Sequence, residues 1–351
     1  GHLSRPAVEA LYGNRVRLSA SRMDKVKSCH FSYFMQYGLK AKARRRAGFD
    51  APEAGTFVHY VLEQVLQDRM FGKGAPRPEG EEALAAWKKK LRRLTKQAVD
   101  RYVAQELGGL EGQTPRFKYL FRRLLRSVQA VVDNVAEELL CSKFKPISFE
   151  LGFGTGEEGA LPPVELTCSG VTISVTGFVD RVDGWEENGR LHLRVVDYKT
   201  GRKTFDLTEV WNGLGLQMLL YLFTLEDRGR ALYGLPVEGA GVLYLPAREA
   251  VIRGSRAISD ADLRKRVDKE LTRSGLIVDD PEILAAMEEP GAEDYRFLPL
   301  KVSKTTGQIT GEALATAEQL GKLGRHIQRT LEDICQELAG GNISADPFWR
   351  G

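Results

Sequence analysis

The 351-residue chain sets 51 Lys and Arg against 47 Asp and Glu, a net charge of +4, with 42% hydrophobic and 28% charged residues. That is long enough for one large core or two smaller ones and too evenly mixed for a disordered chain, while the slight basic excess permits a nucleic-acid partner without requiring one. Four cysteines (Cys29, Cys141, Cys168, Cys335) without a Cys-x-x-Cys pair exclude a disulfide framework and a self-contained zinc site, and suit a reducing cytoplasm.

The first half reads as helical. Residues 19–39 open on Ser and Asp capping candidates and space Phe31, Phe34 and Tyr37 as a helix would. A basic run at 40–46 follows. Residues 53–71 place Phe57, Val58, Val61, Leu62, Val65 and Leu66 in one apolar stripe. A loop rich in Gly and Pro, 72–80, then leads to two long charged helices, 81–107 and 114–141. From about residue 146 the period changes to alternation, and strands are expected over 147–154 and 171–185, with Asp183 ending its strand. A turn at 184–190 returns the chain along 191–201 as a hairpin. Residues 206–227 read as one helix, 239–247 as a strand and 252–310 as charged helix and loop. A helix over 311–341 ends in a Gly pair. The most apolar run, 214–225, is too short to span a bilayer and contains Gln217, and no signal peptide opens the chain, so no membrane is expected. This order predicts an α/β fold with large helical insertions. Its expected parts are an N-terminal helical segment at 1–54, a helical part at 55–145, a core carrying the site at 146–250 and a C-terminal extension at 251–351.

"VVDYKTG", residues 195–201, carries the chemistry. On a strand, Asp197 and Lys199 project to the same face. They make either a solvated ion pair or a metal ligand with a working lysine beside it. Three other features decide the weight of the second reading. His59 lies near the start of a helix with Glu63 one turn on, Asp180 follows Gly177 near a strand end, and Gln217 and Tyr221 share a helix face. Hydrolysis of a phosphodiester needs divalent cations to neutralise the scissile phosphate and acidify the attacking water. Hard cations take oxygen ligands, here Asp180, Asp197 and the backbone carbonyl of Tyr198, and an imidazole at His59 tilts the preference from Mg2+ toward Mn2+. Lys199 then orients or deprotonates the water and stabilises charge on the phosphoryl oxygens. Gln217 and Tyr221 support the site, and Glu63 and Glu150 are accessory acids.

Gly55-x-x-x-His59, Gly177-x-x-Asp180, Asp197-Tyr198-Lys199-Thr200-Gly201 and Gln217-x-x-x-Tyr221 together resemble the RecB-type nucleases of the PD-(D/E)XK superfamily. The resemblance implies a restriction-endonuclease-like core, a central mixed sheet flanked by helices. It also implies metal binding by His59, Asp180 and Asp197, with Lys199 catalytic. Residues 19–42 further resemble the segment preceding the nuclease motifs in AddB-type subunits of AddAB helicase-nucleases. There a cysteine at the position of Cys29 is the first ligand of a [4Fe–4S] cluster, and the other three follow a segment like residues 340–351. No such triplet stands in this sequence, so no cluster is expected in this chain and Cys29 is expected to be a free, buried thiol. The resemblance implies single-stranded DNA as substrate, an AddA-type helicase-nuclease subunit as partner and a role in double-strand-break repair. A free-standing RecB-like exonuclease and a catalytically silent DNA-binding scaffold are the alternatives.

Three basic runs are candidates for phosphate contacts. The run at 40–46, with Arg44, Arg45 and Arg46, stands next to a site motif. The run at 87–93 reads better as a solvated helix face. In 116–126, Phe117, Tyr119 and Phe121 could stack on unpaired bases.

Overall fold

Strand formation follows the β-branched runs of the second half, and helices supply the cover. In the computed structural model, which describes residues 1–41, 51–252, 259–289 and 295–349, the strands are β1 (Arg15–Leu18), β2 (Lys145–Phe153), β3 (Val164–Cys168), β4 (Val171–Val175), β5 (Gly177–Glu187), β6 (Arg190–Lys199), β7 (Val237–Pro246), β8 (Ser274–Val278), β9 (Lys301–Val302), β10 (Ile309–Thr310) and β11 (Leu314–Ala315). The helices are α1 (Arg5–Tyr12), α2 (Ala20–Ser28), α3 (His30–Tyr33), α4 (Ala51–Leu66), α5 (Gly80–Gln105), α6 (Pro115–Cys141), α7 (Leu207–Trp211), α8 (Gln217–Tyr233), α9 (Asp260–Leu271), α10 (Pro281–Met287) and α11 (Ala317–Ala339).

A six-stranded mixed sheet, in the order β11-β8-β7-β6-β5-β2, forms the centre. β2, β5 and β6 run antiparallel in sequence. β6 and β7 are parallel, as their connection through α7 and α8 requires. Side chains alternate along β6: Leu191, Leu193 and Val195 enter one core with α8 and α11, while Val196 and Tyr198 enter the other with α4 and α6. A second sheet, β1-β4-β3, ties the N-terminal segment to the core through the parallel pair β1–β4. The helical insertions fix α4 from behind, with the Phe57 ring 4.9 Å from Tyr102 and 5.4 Å from Phe121.

Several expectations need correction. The helix over 19–39 is broken at Cys29, whose backbone is extended, into α2 and a second segment that ends in a π-turn at Phe34–Gly38. The helix over 206–227 is two helices, interrupted where Gly213 and Gly215 adopt positive φ. The strand read over 171–185 is two strands of different sheets, parted at Thr176. The region 252–310 contributes β8 to the central sheet. Asp183 does not end a strand. It lies fully buried within β5, where Arg181 and Arg194 approach its oxygens at 2.8 Å.

Candidate functional site

β5 begins where β6 ends, and that edge of the sheet collects the polar residues. Phe149 pairs with Arg181 and Leu151 with Val179, so Glu150 stands opposite Asp180. Arg181 pairs with Val196, which puts Asp197 on Asp180's other side by the same register. α4 lays His59 across them, its Nδ1 3.4 Å from Asp180 Oδ1. One donor atom each from His59, Glu150 and Asp180 lies within 4.8 Å of the others. Glu150 has φ +44 although it is not glycine, a costly backbone state inside a strand that aims its carboxylate at the group. The other Asp180 oxygen accepts the Tyr198 backbone N–H at 2.6 Å, and the Tyr198 ring meets His59 edge-on at 5.4 Å. Lys199 pairs with Asp197 on the same strand, its Nζ 5.3 Å from the centre of the Tyr244 ring.

Crowded carboxylates show in their proton affinities. Glu150 sits at the mouth of the group. Partial desolvation there and the neighbouring Asp180 push its carboxyl up to about 7. Burial, then Asp180, raises Asp197 against the pull of Lys199 and His59. For His59 burial opposes the charge, but the hydrogen bond to Asp180 and the surrounding carboxylates win and raise it. Such an excess of acid around one imidazole suits a divalent cation, and the donor set of one nitrogen with carboxylate oxygens fits it.

Gln217 Nε2 donates to the Tyr221 hydroxyl at 3.1 Å, and the Tyr221 ring stacks on Phe153 at 4.3 Å. Gly177 explains its own presence, because a Cβ there would collide with the Tyr221 hydroxyl. Glu63 bonds Gln67 and influences Glu150 through its charge, but is not among the three converging donors.

Other expected residues fall elsewhere. Arg44, Arg45 and Arg46 lie outside the described residues. In the run at 87–93 Lys90 pairs with Asp68 at 2.7 Å and the Trp87 ring meets Phe71 at 6.0 Å. Phe121 is core and unavailable for stacking, because α6 turns it toward Phe57, and Tyr119 is open. Cys29 is half-buried rather than buried. Phe348 N–H donates to Ser28 O at 2.7 Å and Phe31 N–H to Ser344 O at 3.0 Å, which brings residues 344–348 alongside it. Sequence reasoning misses Asp24 on α2, which accepts the Gly215 N–H at 2.9 Å and whose carboxyl lies within the fields of Lys203 and Lys199. It misses Tyr244 too, since an aromatic on a buried strand reads only as core.

The sequence matches the PD-(D/E)XK nuclease superfamily over residues 17–350. The chain belongs to that superfamily. This PD-(D/E)XK nuclease is also similar to the B-type subunit of the ATP-dependent helicase/deoxyribonuclease of Acetivibrio thermocellus, with 32% identity over 99% of this chain and 30% of the relative. The namesake proteins of Clostridium novyi and of a Thermoanaerobacter species are each 32% identical, over 99% and 98% of this chain and 30% and 29% of theirs. The nuclease chain thus spans about 30% of the length of these curated relatives, and its restriction-endonuclease-like sheet is the fold of the family. No helix among its described residues is long and apolar enough to cross a membrane.

Proposed function

We propose that this chain is the metal-dependent exonuclease part of an AddB-type subunit, hydrolysing phosphodiester bonds of single-stranded DNA with Mg2+ or Mn2+. The observation that carries the reading is the convergence of His59, Glu150 and Asp180 donors at the strand end that also bears Lys199. His59, Asp180, Asp197 and the Tyr198 carbonyl, joined by Glu150, would hold the divalent cation. Once bound it neutralises the scissile phosphate and acidifies the attacking water. Lys199 holds that water and stabilises charge on the phosphoryl oxygens as the bond to the leaving nucleotide breaks. The Tyr198 amide keeps Asp180 in place, and Gln217 and Tyr221 brace the start of β5.

The relatives' printed names describe a helicase and deoxyribonuclease subunit. That supports an AddA-type partner, a cytoplasmic setting and work on broken DNA ends for recombinational repair. An iron–sulfur cluster of the longer protein belongs, on this reading, beside Cys29.

The test is cleavage of labelled single-stranded DNA with Mn2+ or Mg2+, comparing the chain with Lys199→Ala and Asp180→Ala. Metal-dependent cutting that falls by about 10²–10³-fold or more in both variants is the expected result. Folded protein that binds DNA equally with and without metal, and never cuts it, would replace the reading with that of a scaffold.

A further inference from the structure

Next to Lys199, on the side away from α4, lies a cavity of about 250 Å³ walled by Lys199, Arg202, Lys203, Arg248, Lys269 and Glu270. It is smaller than the ~300–1,000 Å³ of pockets for drug-sized ligands, so a whole nucleotide does not fit the space but a phosphoryl group does. Five of those six side chains are cationic. The single carboxylate is already shared, with Glu270 Oε1 2.8 Å from Arg202 and 3.0 Å from Arg248. Among the described residues Lys203 and Lys269 make no ion pair, and the buried Nε of Arg248 has no hydrogen-bond partner. Lys203 and Lys199 both approach the Tyr244 ring, each with its Nζ 5.3 Å from the centroid, Lys199 being paired with Asp197. Like charges gathered around a cavity repel, and an anion inside relieves the repulsion.

We propose that this cavity is a phosphoryl subsite. Resting on the nuclease reading above, it takes a phosphate of the strand being cut, next to the scissile one held at His59, Glu150 and Asp180. Arg202 and Arg248, both held on Glu270, supply cationic charge at fixed positions, and Lys203 and Lys269 supply charge without fixed geometry. The subsite sets the register of the strand: anchoring one phosphate places its neighbour over Lys199 and the carboxylates.

The experiment uses oligonucleotides in which one phosphate at a time is a neutral methylphosphonate. A parallel set lacks or bears a terminal phosphate. Binding is measured in chelator, and cleavage in Mn2+. For the wild type, a single neutral position next to the cut bond is expected to weaken binding and kcat/KM about tenfold, the scale of one charge-assisted hydrogen bond. Lys203→Ala/Lys269→Ala should weaken binding to unmodified DNA, lower the salt slope by about 1 per lost contact, and lose the sensitivity at that position. If the terminal phosphate rather than an internal one produces the loss, the subsite holds a strand end. Inorganic phosphate should compete with DNA for the wild type and not for the double variant. A double variant as sensitive as wild type to every modification, with an unchanged salt slope, would overturn the subsite. The nuclease reading fails separately, through Lys199→Ala cutting normally.

Discussion

Two clusters of charge share β5 and β6 within a few residues of each other, and they are built on opposite terms. Behind the sheet, Arg181, Arg194 and Arg273 surround Asp183 and Glu138, all essentially without solvent exposure. Arg194 reaches both carboxylates. Arg273 sits 2.9 Å from Glu138 and donates to Asn134 at 2.6 Å. Here every carboxylate faces guanidinium groups, and a small excess of cation is softened by the Tyr198 hydroxyl, which accepts from Arg181 at 3.3 Å. At the strand end the balance reverses: Glu150 and Asp180 converge with one imidazole, and Asp197, paired with one ammonium, adds its charge beside them. Compensated charge in the interior holds α6 to the sheet. Uncompensated acid at an accessible edge costs stability and suits the cation proposed for it.

The sharpest way to break this comparison is to remove one carboxylate from each cluster by the same chemistry. Glu138→Gln leaves guanidinium groups buried without their counter-charge and should cost about 3–5 kcal/mol. Asp180→Asn relieves the crowded acids and should leave stability in chelator unchanged or raise it. Denaturant unfolding reads both, and equal losses would mean that the clusters do not differ. The pH dependence sharpens the contrast. Burial alone would raise Glu138, but Arg273, then Arg194 and Arg181, overrule it and hold the carboxyl down at about 2. A folded value below the unfolded one of about 4.3 means that its contribution is whole above 4.3. It is lost as the pH falls through the folded value, so the gap between wild type and Glu138→Gln should narrow from about pH 4 to 2.

Metal addition gives the next largest effect and has the opposite dependence on the two clusters. At 100 times its Kd, Mn2+ or Mg2+ should stabilise the wild type by about 2.7 kcal/mol. Asp180→Asn should lose most of that gain, whereas Glu138→Gln, measured where it remains folded, should keep it. Thermal unfolding with and without metal reads the difference. A full gain in Asp180→Asn would remove Asp180 from the cation's ligands.

Sequence makes one cluster visible and hides the other, for a physical reason. Asp197 and Lys199 are two apart on a strand, and Gln217 and Tyr221 four apart on a helix, so local periodicity alone puts each pair on one face. Glu150 carries little weight in the sequence because its place opposite Asp180 depends on strand register across a long connection, which no local pattern encodes. The buried network is invisible for the same reason taken further. Only its Arg181–Asp183 pair, two apart on β5, is local, and Asp183 reads as a strand terminator because Arg194 comes from the next strand and Glu138 and Arg273 from α6 and the residue before β8. β8 itself, Ser274–Val278, is too short for alternation to stand out among charged neighbours. The break between α7 and α8 is legible: Gly-Leu-Gly at 213–215 is poor helix sequence, and both glycines take positive φ.

The smallest expected effect separates two glycines that the motifs treat alike. Gly177 opens β5 beside the acids, and an added Cβ would run into the Tyr221 hydroxyl, which is already held by Gln217 and backed by Phe153. Gly177→Ala must therefore push Tyr221 off its stack, an overpacking cost of about 1–3 kcal/mol with a shift of the strand that carries Asp180. Gly55 lies within α4, and a Cβ there would meet the Thr200 side chain no closer than 3.8 Å, ordinary van der Waals contact. Gly55→Ala should stabilise the helix by about 0.5–1 kcal/mol through backbone entropy. Opposite signs in unfolding, with cleavage lowered only by Gly177→Ala, are the expected pair of results. A destabilising Gly55→Ala would mean that this glycine serves a close approach to the Thr200 loop, drawing α4 into the accessible cluster as tightly as α6 is drawn into the buried one.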